Sequence, residues 1–262
     1  MIDKIKGVLQ KLEIKNSDCI VLFIDSDILK MPGTKNKEHC ENILKVIFDV
    51  IGIKGTIITP SFNYDFCNTG YFDVHKTPSQ VGFFSNYLLS KANTFRSTHP
   101  IFSFVSIGNE AESLMKDVSN DAFGFNSVFD RLFIRKAKAL YLNIPIINPG
   151  CPPSTYTHYI EQKFGVDYRY IKNFSGTVKC NDNLLKSDYL FYVRNMDYEI
   201  KTDNINFYHM ALKANLMKSY MIEFKYLVTV CDIEKIVNLG LKCLKKNKYS
   251  LLEHPPRKLT NY

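Results

Sequence analysis

Two residues in the middle of the chain have the types and spacing for proton transfer. His158 and Glu161 lie three apart in the stretch Ser154-Thr155-Tyr156-Thr157-His158-Tyr159-Ile160-Glu161. On a helix they share a face, and a neutral imidazole beside a carboxylate is suited to taking a proton from an incoming nucleophile. Pro152 and Pro153 hold the preceding chain extended. Ser154 or Thr155 then caps the helix, and Gly165 ends it. One turn from the positive end of that helix, His158 is disfavoured as a cation and stays neutral near pH 7. Taken alone, the same histidine reads equally well as a cap or packing residue. Cys151, seven residues before His158, opens a rival chemistry with a covalent thiol nucleophile.

Other candidates sit at the ends of predicted elements. Asp25-Ser26-Asp27 follows the apolar run CIVLFI, and the ends of buried strands in α/β folds are favoured ligand positions. Asp25 and Asp27 serve equally well as plain turn residues. The segment 61–79 is rich in aromatics, and with Tyr64 it can wall a ring-shaped substrate or pack as a lid. Arg96 and His99 can reach a phosphate or carbonyl, although a surface position is the commoner outcome for any single arginine. Ser127 opens a helix after Gly124, where free backbone N–H groups favour an anion or carbonyl.

The elements that would carry these residues follow from periodicity. Helices are expected over 2–12, 38–51, 79–90, 206–217 and from Asp232 to 244, each with an apolar stripe. Continuous apolar runs at 19–24, 55–60 and 139–144 read as buried strands, with another over 102–107. The opening helix–strand–helix–strand order favours a partly parallel sheet. After residue 172 the pattern changes to a hairpin (174–180 with 188–194) and a strand over 219–230, with an extended surface tail from Lys245. The expected fold is α/β: a mixed central sheet flanked by helices, with antiparallel strands added by the C-terminal third, in one domain over 1–262.

Four blocks in order carry a family resemblance. They are Thr59-Pro60-Ser61-Phe62, then Arg96-Ser97-x-His99-Pro100-x-x-Ser103-Phe104-x-x-x-Gly108, then Gly124-x-x-Ser127-x-x-x-x-Leu132. The fourth is Thr155-x-x-His158-x-x-Glu161 with Tyr168-Arg169-Tyr170-x-Lys172. Together they resemble the aminoglycoside 3-N-acetyltransferase family over about residues 18–175. The resemblance implies direct acyl transfer with His158, Glu161 and Thr155 as catalytic residues. It implies acyl-coenzyme A contacts at Ser26, Ser97, Ser103, Phe104 and Ser127. Asp25 stands where the family commonly has His, which leaves its role open; Asp25, Arg96 and Tyr64 are the candidate substrate contacts. No acyl group is expected on Cys151, since the family transfers directly.

Composition narrows the partners. The chain has 262 residues and a net charge of +8, with 34 Lys and Arg spread along it rather than clustered. No recognition-helix or RNP-like pattern supports nucleic-acid binding. No P-loop, G-x-G-x-x-G or H-E-x-x-H occurs, so ATP, NAD and metal chemistry lack motif support. No apolar run approaches the ~20 residues of a membrane span. Seven scattered cysteines without a C-x-x-C pair fit a reducing cytoplasm. Basic charge suits phosphate-bearing ligands better than polycationic aminoglycosides. The expectation is therefore transfer from an acyl-CoA (acetyl or hydroxybutyryl) to the amine of a dTDP- or UDP-linked amino sugar, as in surface polysaccharide biosynthesis. The alternatives are an aminoglycoside 3-N-acetyltransferase conferring resistance, or a non-catalytic ligand-binding protein of the same fold. A homo-oligomer is compatible with the sequence.

Overall fold

In β1 (Cys19–Ile24) every second side chain faces the same way, and both faces are apolar. Cys19, Val21 and Phe23 enter one core; Ile20 and Leu22 enter another on the opposite side. This two-sided burial is what a continuous apolar run specifies for a central strand. The computed structural model describes residues 2–25, 36–144 and 154–259, without the side chains of Ile2, Asp3, Asn36, Ser154 and Thr155.

The first half runs α1 (Ile2–Lys11), β1, α2 (Asn36–Ile51), β2 (Thr56–Pro60), α3 (Phe66–Thr69), β3 (Tyr71–Asp73) and α4 (Phe83–Leu89). It continues with β4 (Thr94–Arg96), β5 (Phe104–Gly108), α5 (Ala111–Met115), α6 (Val128–Ile134) and β6 (Lys138–Leu142). Then come α7 (Ser154–Phe164), β7 (Arg169–Cys180), β8 (Asn183–Arg194), β9 (Tyr198–Glu199) and α8 (Asn204–Lys213). The chain closes with β10 (Met217–Ile222), β11 (Tyr226–Asp232), α9 (Ile233–Lys246) and β12 (Arg257–Lys258).

Seven strands form a mixed central sheet in the order β10-β11-β6-β1-β2-β5-β4, with β6, β1 and β2 parallel and the outer strands antiparallel. Helices α1, α2 and α4 cover one face through Ile5, Leu9, Ile43, Ile47 and Leu88. Helices α6, α7 and α9 cover the other through Phe129, Leu132, Tyr159, Ile160, Ile236 and Val237. The long β7–β8 hairpin forms a second sheet with β3, and β9 pairs with β12. Among the described residues no helix is long and apolar enough to cross a membrane.

Two glycines bear on the placement of α7. Gly240, inside α9, faces Ile160, and an added Cβ would come within 2.8 Å of Ile160 Cδ1. Glycine costs about 1 kcal/mol against alanine in a helix interior, and here it lets α9 pack onto α7 beside the candidate residues. Gly165 ends α7 in the left-handed region (φ 80°), and its N–H donates to Glu161 O at 2.9 Å.

The fold matches the expected class, and several boundaries move. The predicted strand 219–230 is two strands, because the chain reverses at Glu223 and Phe224, both at positive φ. The helix expected over 206–217 ends at Lys213, and Met217 already belongs to β10. Ser79 does not cap α4; its hydroxyl accepts from Val81 N–H in a turn, and the helix begins at Phe83. The expected surface tail instead buries Leu251 and Leu252 in the core.

Candidate active site

Helix α7 presents buried Tyr156, Tyr159 and Ile160 to the core and turns His158 toward a cavity of about 680 Å³. His158 keeps a quarter of its side-chain surface exposed, whereas Glu161 has none. Their shared face is realised: His158 Nδ1 lies 3.3 Å from Glu161 Oε2. With Nδ1–H donating to that carboxylate, the lone pair is left on Nε2.

Glu161 is held from three sides. Besides His158, Tyr168 donates its hydroxyl to Oε1 at 3.0 Å, and Arg169 Nε lies 2.7 Å from Oε2. Burial alone would raise the Glu161 pKa, but the His158 hydrogen bond, the Arg169 charge and the Tyr168 hydroxyl together hold it below its usual value. Burial raises the Tyr168 pKa, with Glu161 adding to it, so this phenol remains a donor. For His158, burial lowers the pKa and the nearby Arg169 and Arg194 charges act the same way, against the Glu161 hydrogen bond. This lowering favours the neutral imidazole at pH 7, and desolvation is its main cause.

The cavity wall brings residues that sequence reasoning left without a role. It is lined by His158 and Arg169, by Tyr170, Lys172 and Phe174 of β7, and by Phe191, Val193 and Arg194 of β8. Asp203, Asn204 and Glu253 face them from the C-terminal part of the chain. An aromatic chain backs this wall: Phe123 packs 6.0 Å from the His158 ring, and Phe102 lies 4.9 Å from Phe123 and 4.8 Å from Phe191. Tyr64, 46% exposed, joins it through Phe102 at 6.1 Å.

The other candidates are dispersed. Ser97 Oγ is fully buried and accepts from Phe104 N–H at 2.9 Å. Ser103 Oγ donates to Ser61 O at 2.6 Å, and the Phe104 ring lies in the core 5.1 Å from Phe129. Ser127 caps α6, accepting from Asp130 N–H at 3.2 Å. Arg96 is buried on Phe72 and donates to Ser61 O at 2.7 Å and to the Thr77 carbonyl. Burial pushes its pKa down to about 10, so it stays charged at neutral pH. None of these five side chains lines the cavity. Asp25 is half-buried where β1 ends, its N–H donating to Leu142 O at 3.0 Å. Ser26, Asp27 and Cys151 lie outside the described residues, as does the Thr155 side chain, whose backbone is the second residue of α7. Among the described residues, no three His, Cys, Asp or Glu side chains are grouped to hold a metal ion.

A family model, aminoglycoside 3-N-acetyltransferase, matches residues 26–245. The chain belongs to this family. A comparison with curated protein sequences finds no match. Solved structures share the acetyltransferase fold. Aminoglycoside acetyltransferase AAC(3)-Xa is 16% identical, with a TM-score of 0.77 over 95% of this chain and 93% of its own. AAC-IIIb, solved as a binary complex with CoASH, is 17% identical, with a TM-score of 0.76 over 94% and 96%. AAC-VIa, solved bound to sisomicin, is 14% identical, with a TM-score of 0.75 over 94% and 97%.

Proposed function

We propose that this member of the acetyltransferase family moves an acyl group from acyl-coenzyme A to the amine of an amino sugar by direct attack, with His158 as general base. The observation that carries the reading is a neutral, partly exposed His158 on a cavity wall, with its Nδ1 against a buried, ionised Glu161. Acyl-coenzyme A supplies the activated thioester. His158 Nε2 takes the proton of the amine as its nitrogen bonds to the thioester carbon, and Glu161 stabilises the imidazolium. When the C–S bond breaks, His158 returns the proton to the departing thiolate. Family membership and a neighbour crystallised with CoASH support the donor. Thr155, Ser97 and backbone N–H groups near Ser127 are the candidate donors to the tetrahedral oxyanion; Ser97 Oγ accepts from the Phe104 N–H, a bond that does not use its own O–H.

Aminoglycosides are the first acceptor class, because the family bears their name and AAC-VIa binds sisomicin. A dTDP- or UDP-linked amino sugar is the second reading, favoured by Lys172 and Arg194 in the cavity wall. All six described cysteines are free thiols, which suits the reducing compartment expected of such an enzyme. The test is release of free thiol from acetyl-CoA and hydroxybutyryl-CoA with a panel of gentamicin-like amines and dTDP- and UDP-amino sugars. Turnover with either class supports acyl transfer and selects the acceptor. No thiol release with any amine, from folded protein, turns the reading to a binding protein of the same fold.

A further inference from the structure

Arg169 and Arg194 stand directly opposite each other across β7 and β8. Like charges in register repel, and here only one of them is compensated. Arg169 is neutralised by Glu161, while Arg194 gives one N–H to Ile200 O at 3.2 Å and pairs with no described carboxylate. Three residue pairs along the same hairpin, Lys172 opposes Phe191; its ammonium sits 5.2 Å over the Phe174 ring, again without a described carboxylate. Both cations line the cavity that holds His158. Of the carboxylates on the far wall, Asp203 is engaged in capping α8, accepting from Asn206 N–H at 3.0 Å. Glu253 lies near enough to Lys201 for their charges to interact. The two uncompensated cations share this wall with apolar side chains: Tyr170 faces Val193 in the register, and Phe174 lies 6.5 Å from Phe191.

We infer that this wall binds a nucleoside diphosphate. Tyr170, Phe174 and Phe191 offer faces on which a base stacks, and Lys172 and Arg194 take the diphosphate. This rests on the reading that the cavity is where acyl transfer occurs. A nucleoside diphosphate has two sources there, the amino-sugar acceptor and the ADP portion of coenzyme A, and the experiment separates them.

Binding of UDP, dTDP and coenzyme A is measured by calorimetry on wild type, Lys172→Ala, Arg194→Ala and Lys172→Arg. All carry changes at exposed side chains, and thermal melting checks their folding. UDP or dTDP is expected to bind wild type and to weaken about tenfold or more in each alanine variant, as losing a charged hydrogen bond implies; Lys172→Arg should retain it. Binding that persists under saturating coenzyme A assigns the site to the acceptor. Displacement by coenzyme A, with its own affinity reduced in the same variants, assigns it to the carrier. Unchanged affinity for all three ligands in both alanine variants overturns the proposal. The thiol-release panel is read separately. Variants that lose nucleotide binding in a protein without turnover retain the site and remove acyl transfer; turnover without any effect of the variants does the reverse.

Discussion

Arg169 Nε lies 2.7 Å from Glu161 Oε2, with 3% of one side chain and none of the other exposed. Breaking a buried pair by removing one partner leaves an uncompensated charge, which typically costs about 3–5 kcal/mol. Arg169→Met should therefore lower stability by about that amount in denaturant unfolding. The double variant Arg169→Met with Glu161→Gln should recover part of the loss, because neither charge is then stranded. Additive losses would show that the two residues act independently.

General-base help contributes roughly 10²–10⁴-fold in rate. His158→Asn should cut kcat by that order while leaving the affinity for acyl-CoA nearly unchanged. Glu161→Gln should cost less if the carboxylate only orients the ring and steadies the imidazolium, and Cys151→Ala should cost little. Steady-state kinetics at saturating substrates decide this. A near-wild-type kcat in folded His158→Asn would remove the base assignment, and trapping of acylated Cys151 would give the reaction to the thiol.

The pH dependence has a defined sign. Burial lowers the His158 pKa below its ordinary value of 6.5, so the base form persists at neutral pH and is lost only as pH falls through the lowered pKa. The acid limb of kcat/KM should lie below about 6.5. The Arg169 and Arg194 charges contribute to that lowering, so Arg194→Gln should move the limb to higher pH. A pH–rate profile on both proteins measures it, and an unmoved limb would separate the limb from His158.

His99 should govern acid stability. It is 3% exposed, accepts from Phe102 N–H at its Nδ1, and burial pushes its pKa down to about 4. The unfolded chain takes up a proton near pH 6.5 while the folded one does not. Stability is therefore complete above 6.5 and falls as pH drops from 6.5 toward 4. The accumulated loss is about 3 kcal/mol, at 1.36 kcal/mol per pKa unit. His99→Asn, whose carbonyl can still accept from Phe102, should flatten the dependence of the unfolding midpoint on pH in that window.

The sequence carried the parallel centre of the fold because β1, β2 and β6 are buried on both faces, and a continuous apolar run marks that burial directly. It also carried the His158–Glu161 pair, since i,i+3 spacing on a helix fixes proximity. The β10–β11 hairpin was hidden because Glu223 and Phe224 turn the chain at φ 52° and 54° without the Asn-Gly pattern that announces such turns. Serines 97, 103 and 127 matched family blocks; in the folded chain each hydroxyl bonds a nearby backbone N–H or C=O, a partner that a spacing motif does not encode. Arg194 was invisible for a different reason: its place beside the cavity follows from pairing with Arg169, 25 residues earlier, and no local pattern encodes that register.

That register is fixed far from the chemistry. The β7–β8 hairpin pairs Cys180 with Asn183 around a turn at 181–182, where Asn181 takes a left-handed conformation (φ 53°), and its ladder runs back to Arg169 and Arg194. At about 3.3 Å per residue the turn and the arginine pair are some 36 Å apart. Because side chains alternate, a slip of one residue would swap every inward group for an outward one. Tyr170 would then stand where the guanidinium now meets Glu161. Two small polar residues at a distant tip thus keep time for the charges around His158.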